Sequence, residues 1–266
     1  MARPPLRLCL DDVDPTRAGP AGDTAVSRAL LQRVDAGELP ATLRLSRPPR
    51  VVAFSARDAR SPGFAEAVAA AHDHGFAAVL RLAGGRPAVF TPATIAFALA
   101  EPADPPATGI TPRFRVMAEA LRDAFVALGV DARVGAVPGE YCPGDWSVNA
   151  RGAVKLAGVG QRLLRRGAHT GGVVVVDDAP AVVAVLADVH DAMGLAWDPA
   201  VTGAVADEVS VTWEEVRAAI AAAFAATHDL APWSLDPATL ALARALAVEH
   251  LVDPLGVTTP SPAARP

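Results

Sequence analysis

In two places along this chain, strand-like runs follow one another with too little sequence between them to hold a crossover. Ala77–Leu82, Ala88–Thr91 and Thr94–Ala100 succeed each other with only Gly84-Gly85 and a short break between, and Asp145–Val176 is a hairpin-like region. Strands joined by a tight turn run antiparallel, whereas parallel neighbours need a crossover of a dozen residues or more. A strictly alternating parallel fold is therefore excluded. The spacing predicts an α+β protein with a mixed, largely antiparallel sheet and helices packed on it.

Helical patterns fill the remaining intervals. Asp23 and Thr24 read as caps of a helix through Val26, Leu30, Leu31 and Val34 that stops at Gly37 and Pro40. Two short strands, Ala41–Leu45 and Val51–Ser55, precede a helix from about Gly63 to His74. Glu101–Pro106 reads as a loop, and Thr111–Leu128 as a long helix with apolar positions at Val116, Ala120, Ala124 and Val126. Later helices are expected at Ala179–Met193, Thr212–Thr227 and Pro237–Val252. Residues 1–252 then form a single domain with ample length for a core, and the Pro-, Ser- and Thr-rich 253–266 segment is expected to be a disordered tail.

Composition narrows the setting. No apolar run approaches the roughly 20 residues of a membrane helix, and Leu6–Leu10 after Met-Ala-Arg-Pro-Pro is too short for a signal-peptide core. Two distant cysteines argue against a disulfide framework and for a reducing cytoplasm. A net charge of −5 gives no general attraction to nucleic acid. Against that background Arg151, Lys155, Arg162, Arg165 and Arg166 crowd one segment, either as a basic rim for an acidic protein or as a solvated face. The histidines have no ligand spacing with cysteines or clustered carboxylates, so no metal site is expected.

The segment Gly139-Glu140-Tyr141-Cys142-Pro143-Gly144-Asp145-Trp146 holds the chemistry. A free Cys is most often a small buried hydrophobe. Cys142, however, sits in a Pro-Gly turn, and turns lie at surfaces and pocket mouths. A thiolate there could take an acyl group, with Tyr141 and Trp146 walling an apolar slot. Cys9, between Leu8 and Leu10 on a strand, reads as structural. Lys155 lies in a strand of small and apolar residues, where an ammonium is costly to bury. It is either an edge-strand guard or a cation for a ligand lying against Ala157, Gly158 and Gly160. If Arg151-Gly152 is the hairpin turn, Lys155 stands opposite about Ser147. At roughly 3.3 Å per residue, Cys142 would then lie about 16 Å away along a straight strand. The two meet only if Pro143-Gly144 folds the chain back.

The Tyr-Cys-Pro-Gly segment, followed by Lys155-Leu156-Ala157-Gly158-Val159-Gly160-Gln161-Arg162 and then Gly167-Ala168-His169, resembles the lipoate–protein ligase and octanoyltransferase family. It is most similar to the cysteine-dependent transferases, over about Asp23 to Val176. The resemblance implies the biotin/lipoate protein ligase fold. It implies Cys142 as nucleophile and Lys155, with Lys-x-x-Gly spacing to Gly158, as the residue holding the acyl carbonyl. Arg81-Leu82-Ala83-Gly84-Gly85 resembles the family's Arg-x-Ser-Gly-Gly segment, and His169 its histidine before a strand. The implied reaction moves an octanoyl or lipoyl group through a cysteine thioester onto a lysine of lipoyl carrier domains of 2-oxoacid dehydrogenases or the glycine-cleavage carrier protein, without a cofactor. Departures keep two alternatives open. Arg86 replaces a glycine common in ATP- and magnesium-using ligases, which disfavours the ligase. Ala83 in place of the family Ser, and Ser147 where an Asp is usual with Asp145 earlier, leave room for a non-catalytic acyl- or carrier-binding protein.

Overall fold

A computed structural model describes residues 3–12 and 18–253, so most of the expected tail, 254–266, lies outside the described residues. Among them, the strands form an eight-stranded sheet and a three-stranded sheet. In chain order the elements are β1 (Pro5–Cys9), α1 (Gly22–Asp35), β2 (Thr42–Ser46), β3 (Val51–Phe54), α2 (Phe64–Asp73), β4 (Ala77–Leu80), β5 (Ala88–Phe90) and β6 (Thr94–Pro102). There follow α3 (Ile110–Ala127), β7 (Ala132–Val134), β8 (Val148–Ala150), β9 (Val154–Leu163), β10 (Gly167–Val175), α4 (Ala179–Ala192), α5 (Val205–Glu208), α6 (Trp213–Thr227), β11 (Asp229–Pro232) and α7 (Pro237–Ala247).

The large sheet runs β11-β1-β2-β6-β10-β9-β8-β7, parallel at β11-β1-β2 and antiparallel from β2 to β7. The mixed α+β fold is thus as expected, and the hairpins after Asp145 form β8-β9-β10. The turn between β8 and β9 is the predicted Arg151-Gly152. Both residues have positive φ, 57° and 71°, and the Ala153 N–H closes on the Ala150 carbonyl at 2.8 Å. The two left-handed residues let the chain reverse tightly, and Ala150 pairs with Val154 across the turn.

The hairpins expected between Ala77 and Ala100 do not form. β4 and β5 do not pair with each other: they flank β3, parallel and antiparallel, in the order β4-β3-β5, and β6 departs to the large sheet. The reason is the helix α2 between β3 and β4. It makes their connection a crossover, so β4 lands parallel on one edge of β3 and the Gly84-Gly85 loop must carry the chain to the other edge. Pairing partners two strands apart leave no periodic signal in sequence.

Local readings were corrected at three further points. Asp23 does not cap α1, which starts at Gly22; its carboxylate is taken by the buried Arg44 guanidinium at 2.7 Å and the Ser46 hydroxyl at 2.8 Å. In α3 the buried stripe is Met117, Ala118, Leu121, Ala124 and Phe125, whereas Val116 and Val126 are exposed; the true face keeps the i, i+4, i+7 spacing one position along. β6 runs on through Glu101 and Pro102 into the expected loop, because β10 extends far enough to pair with them. Short β7, α5 and β11 were not anticipated.

Four apolar clusters among the described residues hold these layers, the smallest of them Ala21 with Val51, Ala53 and Val79. Of the others, one lies between the large sheet and α3 with α6, a second between the small sheet and α2 with α4, and a third between α1 and α7. The two sheets meet where the loop after β4 approaches β9 and β10. No helix among the described residues is long and apolar enough to cross a membrane.

Candidate active site

Between the sheets lies a cavity of about 540 Å³ whose lining includes Arg81, Gly84, Gly85, Cys142, Lys155 and Gly158. Six of the seven residues singled out in the sequence thus come together. Phe90, Ile110, Phe114, Tyr141, Trp146 and Val159 add apolar wall, with Phe114 and Trp146 stacked at 6.3 Å. The seventh, His169, lines a smaller neighbouring cavity of about 70 Å³ that shares Arg81, Phe90, Gly171 and Gly172 with the first. His169 is buried, its Nδ1 has no partner, and burial lowers its pKa to about 4, so the ring is neutral near pH 7.

Cys142 sits in the loop between β7 and β8 with φ 43°, a left-handed conformation uncommon for a residue with a side chain. The chain does fold back there: the Lys155 Nζ is 2.9 Å from the Cys142 carbonyl and 3.0 Å from the Tyr141 carbonyl. Lys155 is buried and stands opposite Asn149 rather than Ser147, because Ala150 pairs with Val154 across the turn; a bulge in β9 follows it. Val148 pairs with Ala157 and Asn149 with Lys155, which leaves one extra residue on β9. Leu156 and Ala157 consequently both enter the apolar core, and Lys155 and Gly158, three apart, reach the same face. The Lys155 tail lies where a Cβ on Gly158 would stand 3.3 Å from its Cε.

The thiol is surrounded by donors. Its Sγ accepts the Arg86 backbone N–H at 3.2 Å and an Arg81 guanidinium N–H at 3.5 Å. Burial by itself raises the pKa of Cys142, but the charges of Arg81 and Lys155 and these two hydrogen bonds outweigh it. The thiol therefore ionises below its ordinary 9.0. Cys9, fully buried, is pushed the other way by burial. Gly85, at φ 104°, allows the loop to approach: a Cβ there would lie 2.7 Å from the sulfur. Arg86 also ties the loop down through its guanidinium, 3.4 Å from the buried carboxylate of Asp58, which in turn accepts the Ser55 N–H and hydroxyl at 2.8 Å each.

Two acids were missed by sequence reasoning. Glu140, buried beneath the Cys142 turn, is 3.2 Å from the Lys155 Nζ, and its Oε1 accepts the Ser147 hydroxyl at 2.6 Å. A buried strand lysine needs a carboxylate, so an acid two residues before the cysteine was the available signal. Asp58 gave none, since only tertiary structure brings β3 near Arg86. The supposed basic rim is also smaller than it looked: Lys155 faces the cavity and Arg151 pairs with Glu208, which leaves Arg162, Arg165 and Arg166 exposed.

Residues 20–225 match the lipoyl protein ligase A/B catalytic domain, and the chain belongs to that family. It is 27% identical over 159 residues to a Geobacillus kaustophilus octanoyl-[GcvH]:protein N-octanoyltransferase, a stretch covering 58% of this chain and 56% of that protein. The match thus spans little more than half the length of that relative. Among solved structures, a lipoate-protein ligase A bound with ATP superposes with a TM-score of 0.74 at 21% identity, covering 91% of this chain and 94% of that one. A bipartite lipoate protein ligase from Thermoplasma acidophilum, described with its E2 lipoyl domain, gives 0.69 at 21% identity, covering 93% and 92%. These two likenesses speak to the fold.

Proposed function

We propose that the chain is an acyltransferase that moves an octanoyl or lipoyl group onto a lysine of a lipoyl carrier domain through a thioester on Cys142. The observation that carries this reading is the Cys142 sulfur, shifted toward thiolate and set at a largely apolar cavity. The thiolate attacks the acyl carbonyl carbon of the donor, the bond from that carbon to the donor carrier breaks, and the carrier leaves. Where the donor is an amide, the carrier's lysine amine takes up a proton from solvent. The acceptor lysine, as a neutral amine, then attacks the thioester carbonyl. An amide forms, the C–S bond breaks, the thiolate is restored and the amine proton leaves to solvent.

Each side chain has work in this sequence. Arg81 stabilises the thiolate, and its buried Nε–H, which has no partner, is available to a carbonyl oxygen. Lys155 supplies the second cation. In the resting geometry its three N–H groups are all used, by Glu140 and two carbonyls, so meeting the acyl oxygen means exchanging one of them. The cavity volume lies in the range of small-ligand sites, and an eight-carbon chain gains about 0.8 kcal/mol per buried CH₂. Drawn this way the reaction uses no nucleotide or metal. The Arg86 N–H directed at the sulfur favours it over ATP-dependent ligation, because that donor serves a thiolate.

The curated relative's name supports a glycine-cleavage carrier as one partner, and we extend the partners to lipoyl domains of 2-oxoacid dehydrogenases. Exposed Arg162, Arg165 and Arg166 suit an acidic carrier. A reducing cytoplasm suits a reaction that depends on a free thiol, as both cysteines are here. Incubation with an octanoylated carrier should add one octanoyl mass to Cys142 and none to Cys9, and Cys142→Ala should abolish transfer. Full transfer by Cys142→Ala would sink the thioester route, and ATP-dependent lipoylation by that variant would favour the ligase.

A further inference from the structure

Glu140 is buried, lines no part of the cavity, and is the most heavily hydrogen-bonded acid near Cys142. Its Oε1 accepts the Ser147 hydroxyl at 2.6 Å, the Gly144 N–H at 3.0 Å and the Lys155 Nζ at 3.2 Å; its Oε2 accepts the Val137 N–H at 3.0 Å. Gly144 and Val137 bracket the turn that holds Cys142, and Lys155 in turn bonds the Tyr141 and Cys142 carbonyls. One carboxylate therefore joins both ends of the nucleophile's turn to the cation on β9. We propose that Glu140 is a positioning residue that keeps Lys155 charged and fixed against the Cys142 turn, and through Lys155 keeps Cys142 ionised.

The physical case rests on burial. An ammonium with 1% of its side chain exposed sheds its proton unless a charge nearby opposes that, because desolvation penalises the charged form. Burial holds the Lys155 pKa below its ordinary value, and Glu140 with the Cys142 thiolate offsets part of that lowering. The Tyr141 ring, 4.8 Å from Nζ, adds a weaker attraction. The other charged groups about this turn do not replace Glu140. Arg81 repels Lys155, Asp58 is engaged by Ser55 and Arg86, and Asp145 is exposed at the mouth. Removing the Glu140 carboxylate leaves Lys155 the choice of neutrality or an unpaired buried charge.

This deepens the transfer reading and rests on it only for its purpose, since the readout needs no acyl donor. The rate at which iodoacetamide modifies Cys142 is followed against pH by peptide mass, in the full chain and in Glu140→Gln, Lys155→Met and the double variant. Two effects of Glu140→Gln have opposite signs. Removal of a negative charge near a thiolate, acting directly, lowers the midpoint. Loss of the Lys155 cation raises it. The expected result is a midpoint raised by about one unit, roughly tenfold slower modification at neutral pH. Added to Lys155→Met, where only the direct effect remains, the substitution should leave the midpoint unchanged or lower it. A midpoint that is unchanged or lowered in Glu140→Gln overturns the proposal, as does an equal shift in both backgrounds. Should Glu140→Gln fail to fold, the double variant, which removes both buried charges together, is compared with Lys155→Met. A matching or lowered midpoint supports the proposal and a further rise overturns it. Absence of acyl transfer with the shift intact would count against the enzyme reading alone.

Discussion

Buried polar side chains in this molecule divide by whether the fold gives them a partner. Lys155 and Glu140 are buried together and satisfied, and Arg44 is buried with Asp23. His169 is the contrast, held neutral with an unpartnered Nδ1. Its native pKa of about 4 lies below the ordinary 6.5, so between those values the unfolded chain binds a proton that the native ring does not. Stability is therefore lost as pH falls through that window, by on the order of 3 kcal/mol from this group. Melting temperature measured from pH 7 to pH 4 should fall more steeply in the parent than in His169→Gln. His190 and His250, also lowered by burial, leave a residual slope in both. Identical slopes would show that His169 protonates without penalty.

Among the elements, the loop after β4 and the bulged strand β9 bring the chemistry together. Gly85 in that loop has φ 104°, and a Cβ there would meet both the Cys142 sulfur and an Arg81 nitrogen at 2.7 Å. Gly85→Ala therefore strains the backbone and pushes the loop away, taking the Arg86 N–H with it. The expected outcome is a folded protein whose Cys142 alkylates several-fold more slowly near pH 7, read by circular dichroism alongside labelling. Unchanged labelling would mean that the loop yields without losing the Arg86 contact. Much of this was visible beforehand: Gly84-Gly85 marks close approach, and Arg151-Gly152 marks the turn. The bulge was not. Nothing in Lys155-Leu156-Ala157-Gly158 breaks the strand pattern, and the extra residue is revealed only by pairing to β8.

Across the whole molecule, the last described elements close on the first. β11 pairs parallel with β1, and α7 packs on α1. Asp236 caps α7 by accepting the Thr239 N–H at 2.7 Å and also takes Arg33 of α1 at 2.6 Å, which holds its pKa at about 2. Asp236→Ala should cost about 1 kcal/mol through the cap, with a modest addition from the partly exposed ion pair. Because the native pKa is depressed, this contribution is present above the ordinary carboxylate range and lost as pH falls toward 2. Chemical denaturation at pH 7 and pH 2.5 should show the difference between variant and parent narrowing at the lower pH. A constant difference would mean that the cap works without its charge. Sequence similarity to the family ends at residue 225, yet this closure involves residues beyond it.

Local chemistry was legible in the sequence wherever neighbours in the chain decide it. The Pro-Gly turn at Cys142, the hairpins after Asp145, the helices at 179–192 and 213–227, and the suspicion attached to a strand lysine all follow from short-range sterics and from the cost of burying charge. The tertiary structure decided what depends on distant segments meeting: that β5 joins β3 instead of β4, that α3 buries Met117 and Leu121, that β11 completes the sheet. It also decided the ionisation of the sulfur. Arg81, Arg86 and Lys155 lie far from Cys142 along the chain, and an electrostatic field falls off with distance in space, which the sequence does not contain.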